Sequence, residues 1–467
     1  MVVRFRQIFS DLADQIYRGD LPPGTQLPTE RAMAALLGVN RSTVAIAYAE
    51  LEAAGLVERR QGSGTWVRGD LWGVAPDWQR YIQDGAFQPT TPLLQRIREA
   101  RRRPGMLDLS EGVLSPDLMP RLMLQEKISR LQLRGNLGYP HALGEPCLRD
   151  VLSRYHADRH GFQADPETVL VTGGGQQALY LITRALLRPG DAIGIEQPSY
   201  YYSLSLFQSA GIRLLPIPVD EEGARPEAIR HLYQRHRLRL VLLNPIYQNP
   251  TTTTLSHPRR EQVLAICRSL NIPLVEDDSY ADLALDSPRP APLKALDREG
   301  RVIYLGTLSK IAAPALRIGW LIGPKPVIDR LADVKQQMDF GGNTIAQWLA
   351  ADLLNSPGWE QHLDSLRAEL RRRRDRFATR LSALFGDMMR FTLPSGGMHL
   401  WASWTGAGAD QERLDQALQA GVIVAPGRLY GATDGFVRFT YGQTSESAAE
   451  EALQRLARAW LTDGLPD

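Results

Sequence analysis

From residue 106 onward, short β-branched and aliphatic runs alternate with helical patterns, and this alternation leaves few architectures open. TVLVTG, AIGIEQ, RLLPI, LRLVLLN, IPLVEDD, RVIYLGT and LRIGWLIG read as strands that are apolar along most of their length. A strand with one wet face alternates polar and apolar residues. These do not, so both faces are covered, and the helices between them supply the cover. The pattern predicts an α/β unit with a mainly parallel sheet. Further on, the long basic helix LRAELRRRRDRFATRL and strand–helix–strand patterning predict a smaller α+β part.

Residues 1–69 follow another rule. Ile8, Leu12 and Ile16 recur at helical spacing before the breaker LPPG. Thr29 is placed to cap a second helix with Met33, Leu36 and Leu37 inward, and Asn40 to cap a third that buries Val44, Tyr48 and Leu51. The strands LVERR and TWVR close the unit as a hairpin around Gly62 and Gly64. This order fits a winged helix-turn-helix, whose third helix would enter the major groove with Arg41, Ser42 and Thr43 at its tip. It fits an ordinary three-helix bundle equally well, since residues 1–70 balance eight arginines against eight acids. Residues 70–105, with Pro76, Pro89, Pro92, Pro104, Trp72 and Trp78, read as a linker with a short amphipathic helix at 91–103.

Length and charge narrow the function. A chain of 467 residues suggests about three units. The balance of 54 basic against 52 acidic residues excludes a globally basic nucleic-acid coat, so any such contact is a local patch. Two distant cysteines, Cys147 and Cys267, exclude a disulfide scaffold or a thiolate zinc site, and no metal site is expected. No apolar run approaches the roughly 18 residues of a membrane span, and the N-terminus does not resemble a signal peptide. A cytoplasmic protein without membrane contact is expected.

There are only five lysines, at 127, 294, 310, 325 and 335. Lys310, in LGTLSKIAAPALRIGW, lies between two apolar strands, where desolvation would favour the neutral, nucleophilic amine. A lone lysine more often snorkels at the surface. Its company favours chemistry. Gly173-Gly174-Gly175-Gln176 turns from a strand into a helix, a geometry that receives phosphate, and Arg317 offers a second anchor. Asp277 ends a strand, at the edge where open sheets bind ligands. Tyr280 and Asn249 are placed to bond a phenolic oxygen, and Tyr200 to stack on an aromatic ring.

The run LPPGTQLPTERAMAALLGVNRSTVAIAYAELEAAGLVERRQGSGTWV closely resembles the GntR-family DNA-binding domain. The resemblance implies that Arg31, Arg41 and Thr43 contact DNA and that Gly62 to Gly64 form the wing; Ala45 stands where some relatives carry arginine. Residues 106–467 resemble the fold-type I pyridoxal-phosphate aminotransferases. That resemblance implies pyridoxal 5'-phosphate on Lys310, with the phosphate held by Gly174, Gly175, Gln176, Thr307 and Arg317. It further implies Tyr200 stacked on the ring, Asn249 and Tyr280 at the ring oxygen, and Asp277 at the ring nitrogen. Arg438, in GFVRFTYGQ, matches an arginine for an amino-acid α-carboxylate, and Tyr139 one that reaches a neighbouring subunit's phosphate, implying a homodimer. NPTTTT replaces the more frequent Asn-Pro-Thr-Gly.

Together the parts resemble the MocR-type subgroup of GntR regulators. The expected organisation is a DNA-binding domain at 1–69, a linker at 70–105 and an aminotransferase-like domain at 106–467. The last divides into a large part at about 135–340 and a small part at about 106–134 and 341–467. The expected function is transcriptional regulation through double-stranded operator DNA, in response to pyridoxal phosphate or an amino acid or amine. A working aminotransferase with an accessory DNA-binding domain is the alternative, and a lyase or decarboxylase on the same fold also fits the motifs.

Overall fold

The structure is a computed structural model that describes residues 2–60, 62–69, 85–133, 137–406 and 410–461, with side chains from residue 5. Trp72, Pro76 and Trp78 of the expected linker lie outside the described residues. The chain divides into Met1–Ala86 and Phe87–Asp467.

In the first unit, helices α1 (Val2–Arg18), α2 (Glu30–Leu37) and α3 (Arg41–Ala53) precede the antiparallel hairpin β1 (Val57–Arg60) and β2 (Gly64–Val67). Ile8, Leu12 and Ile16 of α1 meet Val44, Tyr48 and Leu51 of α3 in one core, closed by Val57 and Val67 from the hairpin. The Thr29 hydroxyl accepts from Ala32 N at 3.2 Å, a cap that contributes about 1 kcal/mol. Gly38 ends α2 at φ +61°, and α3 leaves at 117° to α2, within the range of a helix-turn-helix. Asn40 precedes α3 without a side-chain capping bond. One expectation fails. Leu36 and Leu37 are 79% and 44% exposed, because an eight-residue helix buries one narrow stripe and Met33 and Ala34 fill it.

The second unit begins with α4 (Pro92–Arg101), capped by the Thr91 hydroxyl, followed by β3 (Leu107–Asp108), α5 (Arg121–Ser129) and α6 (Pro146–His160). The main sheet uses β4 (Val169–Thr172), β5 (Ala192–Gln197), β6 (Arg213–Asp220), β7 (Gly223–Ala224), β8 (Leu240–Leu243), β9 (Leu274–Asp277), β10 (Val302–Thr307) and β11 (Gly319–Ile322), with α7 (Gly175–Leu186) following β4. Its order is β4-β11-β10-β9-β8-β5-β6-β7; the central run from β10 to β6 is parallel, while β11 and β7 are antiparallel to their neighbours. Separate apolar clusters cover the sheet, as the unalternating strands require.

A second, antiparallel sheet has the order β12-β13-β16-β15, formed by β12 (Met389–Phe391), β13 (His399–Trp404), β15 (Ala425–Pro426) and β16 (Phe436–Thr440). Strand β14 (Val422–Ile423) pairs in parallel with β3.

The expected linker must be shortened at its C-terminal end. Ile97 and Ala100 of α4 are buried with Ile423, Ala425, Leu429 and Tyr430, and Arg96 pairs with Asp415. Burying one aliphatic side chain such as Ile97 stabilises by about 1.5–3 kcal/mol, so residues 92–101 belong to the folded body. No single helix among the described residues is long and apolar enough to cross a membrane.

Candidate functional site

A cavity of about 470 Å³ opens at the C-terminal ends of β9 and β10, inside the range of small-molecule sites. Its walls bring together Gly175, Gln176, Tyr200, Asn249, Asp277, Tyr280, Thr307, Lys310, Arg317 and Arg438, which lie far apart in the sequence.

Lys310 follows β10, and its Nζ donates to Gly112 O at 2.6 Å and sits 5.8 Å from the centre of the Tyr280 ring. Burial pushes the amine down to about 8, helped by the positive charge of Arg438 and opposed by Asp277 and Glu111. The side chain still meets the cavity, so the desolvated amine is accessible. This combination suits a nucleophile.

Asp277 ends β9 facing the cavity. One carboxylate oxygen accepts from the Tyr201 hydroxyl at 3.0 Å and the other from Ser279 N at 3.2 Å. Burial raises its pKa above the ordinary carboxylate value, and the Ser279 and Tyr201 bonds and the Lys310 charge offset part of that rise. Asp278 turns the other way, to Tyr304 at 2.7 Å and to Arg289. Adjacent acids on one strand end thus serve opposite faces of the sheet.

Asn249 joins three groups. Its backbone N–H donates to Asn244 Oδ1 at 2.8 Å, its Nδ2 to the Tyr280 hydroxyl at 3.2 Å, and its Oδ1 accepts from Arg438 Nη1 at 2.8 Å. Tyr280 also lies 3.2 Å from His399 Nε2; burial keeps that imidazole neutral, with Arg438 and Lys310 acting in the same direction. Arg438 is 4% exposed, and its Nε has no hydrogen-bond partner among the described residues. A buried guanidinium N–H without an acceptor is costly, and Arg438 is a lining residue of the cavity.

On the opposite wall, β4 gives way to α7. Gly174, at φ +99°, is the turn; a Cβ there would lie 2.7 Å from Arg317 Nη2. The first-turn N–H groups of α7 have no helical acceptors, and Arg317 stands beside them, a donor set for a dianion. Gln176 Nε2 donates to the Tyr200 hydroxyl at 3.1 Å, and the Thr307 hydroxyl bonds Ser309 at 3.0 Å. Gly174 itself lies just behind the lining residues. Tyr139 is outside this cavity, 86% exposed against Phe340. In the loop after Asn249, Thr252 takes φ +62°, the left-handed conformation a glycine would adopt more easily.

The sequence reading missed Ser309, Tyr201, Ser279, Asn244, Glu111 and His399. Asn244 directly follows the apolar strand β8 and His399 opens the apolar strand β13, polar residues at strand ends, which is the signal that would have found them. Glu111 and Ser279 carry no comparable signal.

In the first unit, Arg31, Arg41, Ser42, Gly62 and Gly64 are exposed. The Arg41 side chain is 72% exposed, with its Nε bonded to Glu30 at 3.1 Å. Gly62 and Gly64, at φ +76° and +98°, shape the hairpin tip, and Trp66 and Gln26 both donate to Ser63 O. Thr43 departs from the expected set. It is 6% exposed, on the inner face of α3 with Val44, which removes it from direct base contact. The outward face carries Arg41, Ser42, Ala45, Ile46 and Ala49.

Residues 104–456 match the family described as aminotransferase class I and II, and residues 5–67 the family of bacterial regulatory proteins, gntR family. Over 461 residues the chain is 35% identical to the uncharacterized HTH-type transcriptional regulator YdfD of Bacillus subtilis, covering 97% of this chain and 95% of that one. It is 27% identical over 438 residues to the HTH-type transcriptional regulator NorG of Staphylococcus aureus, covering 92% and 98%. Among solved structures, the Pyrococcus horikoshii kynurenine aminotransferase superposes with a TM-score of 0.77 at 26% identity, over 84% of this chain and 99% of that one. The Thermus thermophilus α-aminoadipate aminotransferase LysN, complexed with N-(5'-phosphopyridoxyl)-L-leucine, superposes with a TM-score of 0.75 at 28% identity, over 83% and 98%.

Proposed function

We propose, on the premise that the chain belongs to the aminotransferase class I and II family and carries a gntR-family regulatory domain, that it is a transcriptional regulator which binds operator DNA and senses an amino compound through bound pyridoxal 5'-phosphate. The observation that carries the reading is the joint presence of an exposed recognition-helix tip and a desolvated, cavity-facing Lys310 on one chain.

The cavity fits the cofactor on its own chemistry. The α7 N-terminus with Gly174, Gly175 and Gln176, together with Thr307 and Arg317, would hold the phosphate. Asp277 would keep the ring nitrogen protonated, Asn249 and Tyr280 would bond the ring oxygen, Tyr200 would stack on the ring, and Lys310 would attach covalently. Bound there, the cofactor supplies an electron sink for the substrate's amino-bearing carbon. Arg438, which lines the cavity, would hold a ligand α-carboxylate. Tyr139, exposed and turned from its own cavity, would reach the phosphate of a second copy, making the functional unit a dimer. On DNA, Arg41 would exchange its bond to Glu30 for a phosphate or base edge, a small loss because exposed ion pairs contribute about 0.2–1 kcal/mol. Arg31, Ser42 and the wing glycines would add backbone contacts.

A second reading, a working aminotransferase, is favoured by the same lysine: an amine near 8 beside Asp277 suits catalysis as well as capture. One experiment separates them. The protein, loaded with pyridoxal phosphate, is footprinted on DNA flanking its own gene and assayed for amino transfer to 2-oxoglutarate. Salt-sensitive protection of a defined site supports the regulator. Steady turnover without site-specific protection establishes the enzyme instead.

A further inference from the structure

His399 opens β13 and lies directly opposite Thr440 in the antiparallel pair of β13 with β16. Both are sealed from solvent, at 1% and 0% exposure. The imidazole bridges two hydroxyls. Its Nδ1 lies 3.0 Å from Thr440 Oγ1 and its Nε2 3.2 Å from the Tyr280 hydroxyl, which also accepts from Asn249 Nδ2 at 3.2 Å. The ring packs beside Gly112, a lining residue of the cavity. A Cβ added to Gly112 would meet His399 Cε1 at 3.3 Å and Lys310 Nζ at 3.6 Å, so imidazole and amine crowd one glycine.

The ordinary account of a buried histidine is a core residue with both nitrogens satisfied. The protons around this one, however, have a single consistent arrangement. Burial, with Arg438 and Lys310 acting in the same direction, keeps the ring neutral, so it carries one N–H. If Nδ1 held that proton it would donate to Thr440. The Thr440 hydroxyl would then have a proton with no acceptor among the described residues, in a place closed to solvent. A buried donor left unpaired is costly. With the proton on Nε2 the conflict vanishes: Thr440 donates to Nδ1, and Nε2 donates to Tyr280. The phenol oxygen then accepts twice, from His399 and from Asn249, and its own proton has no acceptor among the described residues. Tyr280 lines the cavity, so that proton is left for whatever the cavity holds.

Resting on the reading that the cavity holds pyridoxal phosphate, we infer that His399 is a positioning residue which, held by Thr440, commits the Tyr280 proton to the cofactor's ring oxygen. His399 acts through Tyr280 and touches no ligand itself. Its N–H also polarises the phenol, which strengthens the bond that the phenol donates. A donated bond stabilises the anion of the ring oxygen, so the bound chromophore loses its proton at lower pH. The relay ties Thr440 on β16 and His399 on β13 to Tyr280, three residues past the end of β9.

Two measurements test it. In the cofactor-free protein, nitrogen-15 NMR of ring-labelled histidine reads the tautomer, the His399 signal being the one of eight that is missing from His399→Gln. The Nε2–H form is expected; the Nδ1–H form, or an imidazolium at pH 7, would overturn the inference without reference to the cofactor. In the loaded protein, the pH midpoint of the cofactor absorbance is compared in wild type, Tyr280→Phe, His399→Phe and the double variant, with thermal melting as the check on folding. Tyr280→Phe should raise the midpoint by about 0.4–1 pH unit, the loss of one hydrogen bond. His399→Phe should raise it by at least about 0.3 unit, twofold in proton affinity, and should leave it unmoved in the Tyr280→Phe background. A lowered midpoint in His399→Phe would mean that the imidazole had been taking the phenol's proton. That result, an unchanged midpoint, or a shift that persists without Tyr280 would overturn the inference and leave cofactor binding standing. Absence of bound-cofactor absorbance in the loaded wild type would overturn both.

Discussion

Lys310 should be the most reactive lysine of the cofactor-free protein at neutral pH. Its pKa is pushed from 10.5 to about 8 by burial first and by Arg438 second. At pH 7 an amine of pKa 10.5 is neutral in about one molecule in three thousand, and one near 8 in about one in eleven, an excess of about 300-fold. Lower basicity also lowers intrinsic nucleophilicity. If the slope of about 0.4–0.5 known for thiols applies, that removes about a factor of ten to twenty, leaving an excess of roughly fifteen- to thirtyfold. Lys325 is the internal control, exposed and raised by its bond to Asp329. The assay is brief acetylation with a small neutral reagent across pH 6–10, followed by digestion and mass spectrometry. Lys310 should lead at pH 7, with its modification rate levelling near pH 8, whereas Lys325 should keep rising. Arg438→Gln should move the Lys310 midpoint up, since a positive neighbour is lost, and Asp277→Asn should move it down. Equal rates for Lys310 and Lys325 at pH 7, or a Lys310 midpoint near 10.5, would refute the reasoning.

Gly174→Ala should weaken pyridoxal-phosphate binding without unfolding the chain, because the new Cβ meets Arg317 Nη2 at 2.7 Å and φ +99° is strained for alanine; fluorescence titration should show at least a tenfold loss, and an unchanged affinity contradicts the cradle. Arg41→Ala should cost about 1–3 kcal/mol of operator binding or, if the contact is to phosphate, lower the salt slope by about one; anisotropy at several salt concentrations measures both, and cofactor absorbance should not change. Ile46, 46% exposed on the outward face of α3, would meet thymine methyl groups on bound DNA. Replacing a contacted dT by dU should weaken wild-type binding by about 0.8 kcal/mol and leave Ile46→Ala indifferent; an equal loss in both proteins would remove Ile46 from base readout.

The sheet was legible because its strands are apolar along most of their length, a pattern that requires cover on both faces. Lys310 was legible through its company, a glycine turn, an arginine and a strand-end acid at spacings that only a folded α/β unit brings together. What escaped the sequence depends on which way a short helix turns. A helix at 91–103 was readable, but its docking was not, since Ile97 and Ala100 offer too small a stripe to distinguish a packed helix from a tethered one. Leu36 and Leu37 were assigned the wrong face for a related reason: in a helix of two turns, one residue of phase error moves a side chain out of a narrow buried stripe. Thr252 shows the converse, a loop that keeps its left-handed turn although the glycine expected there is absent.

A sensing regulator couples two ligands through one protein, and thermodynamics makes that coupling reciprocal. The decisive measurement is a pair of calorimetric titrations on the pyridoxal-phosphate-loaded protein: an amino-acid ligand with and without saturating operator DNA, and operator with and without that ligand at saturation. A sensing regulator gives a change in amino-acid affinity on DNA that equals the change in DNA affinity on the amino acid, by about five- to 150-fold. Identical affinities in the presence and absence of the other ligand, with both demonstrably bound, would contradict it.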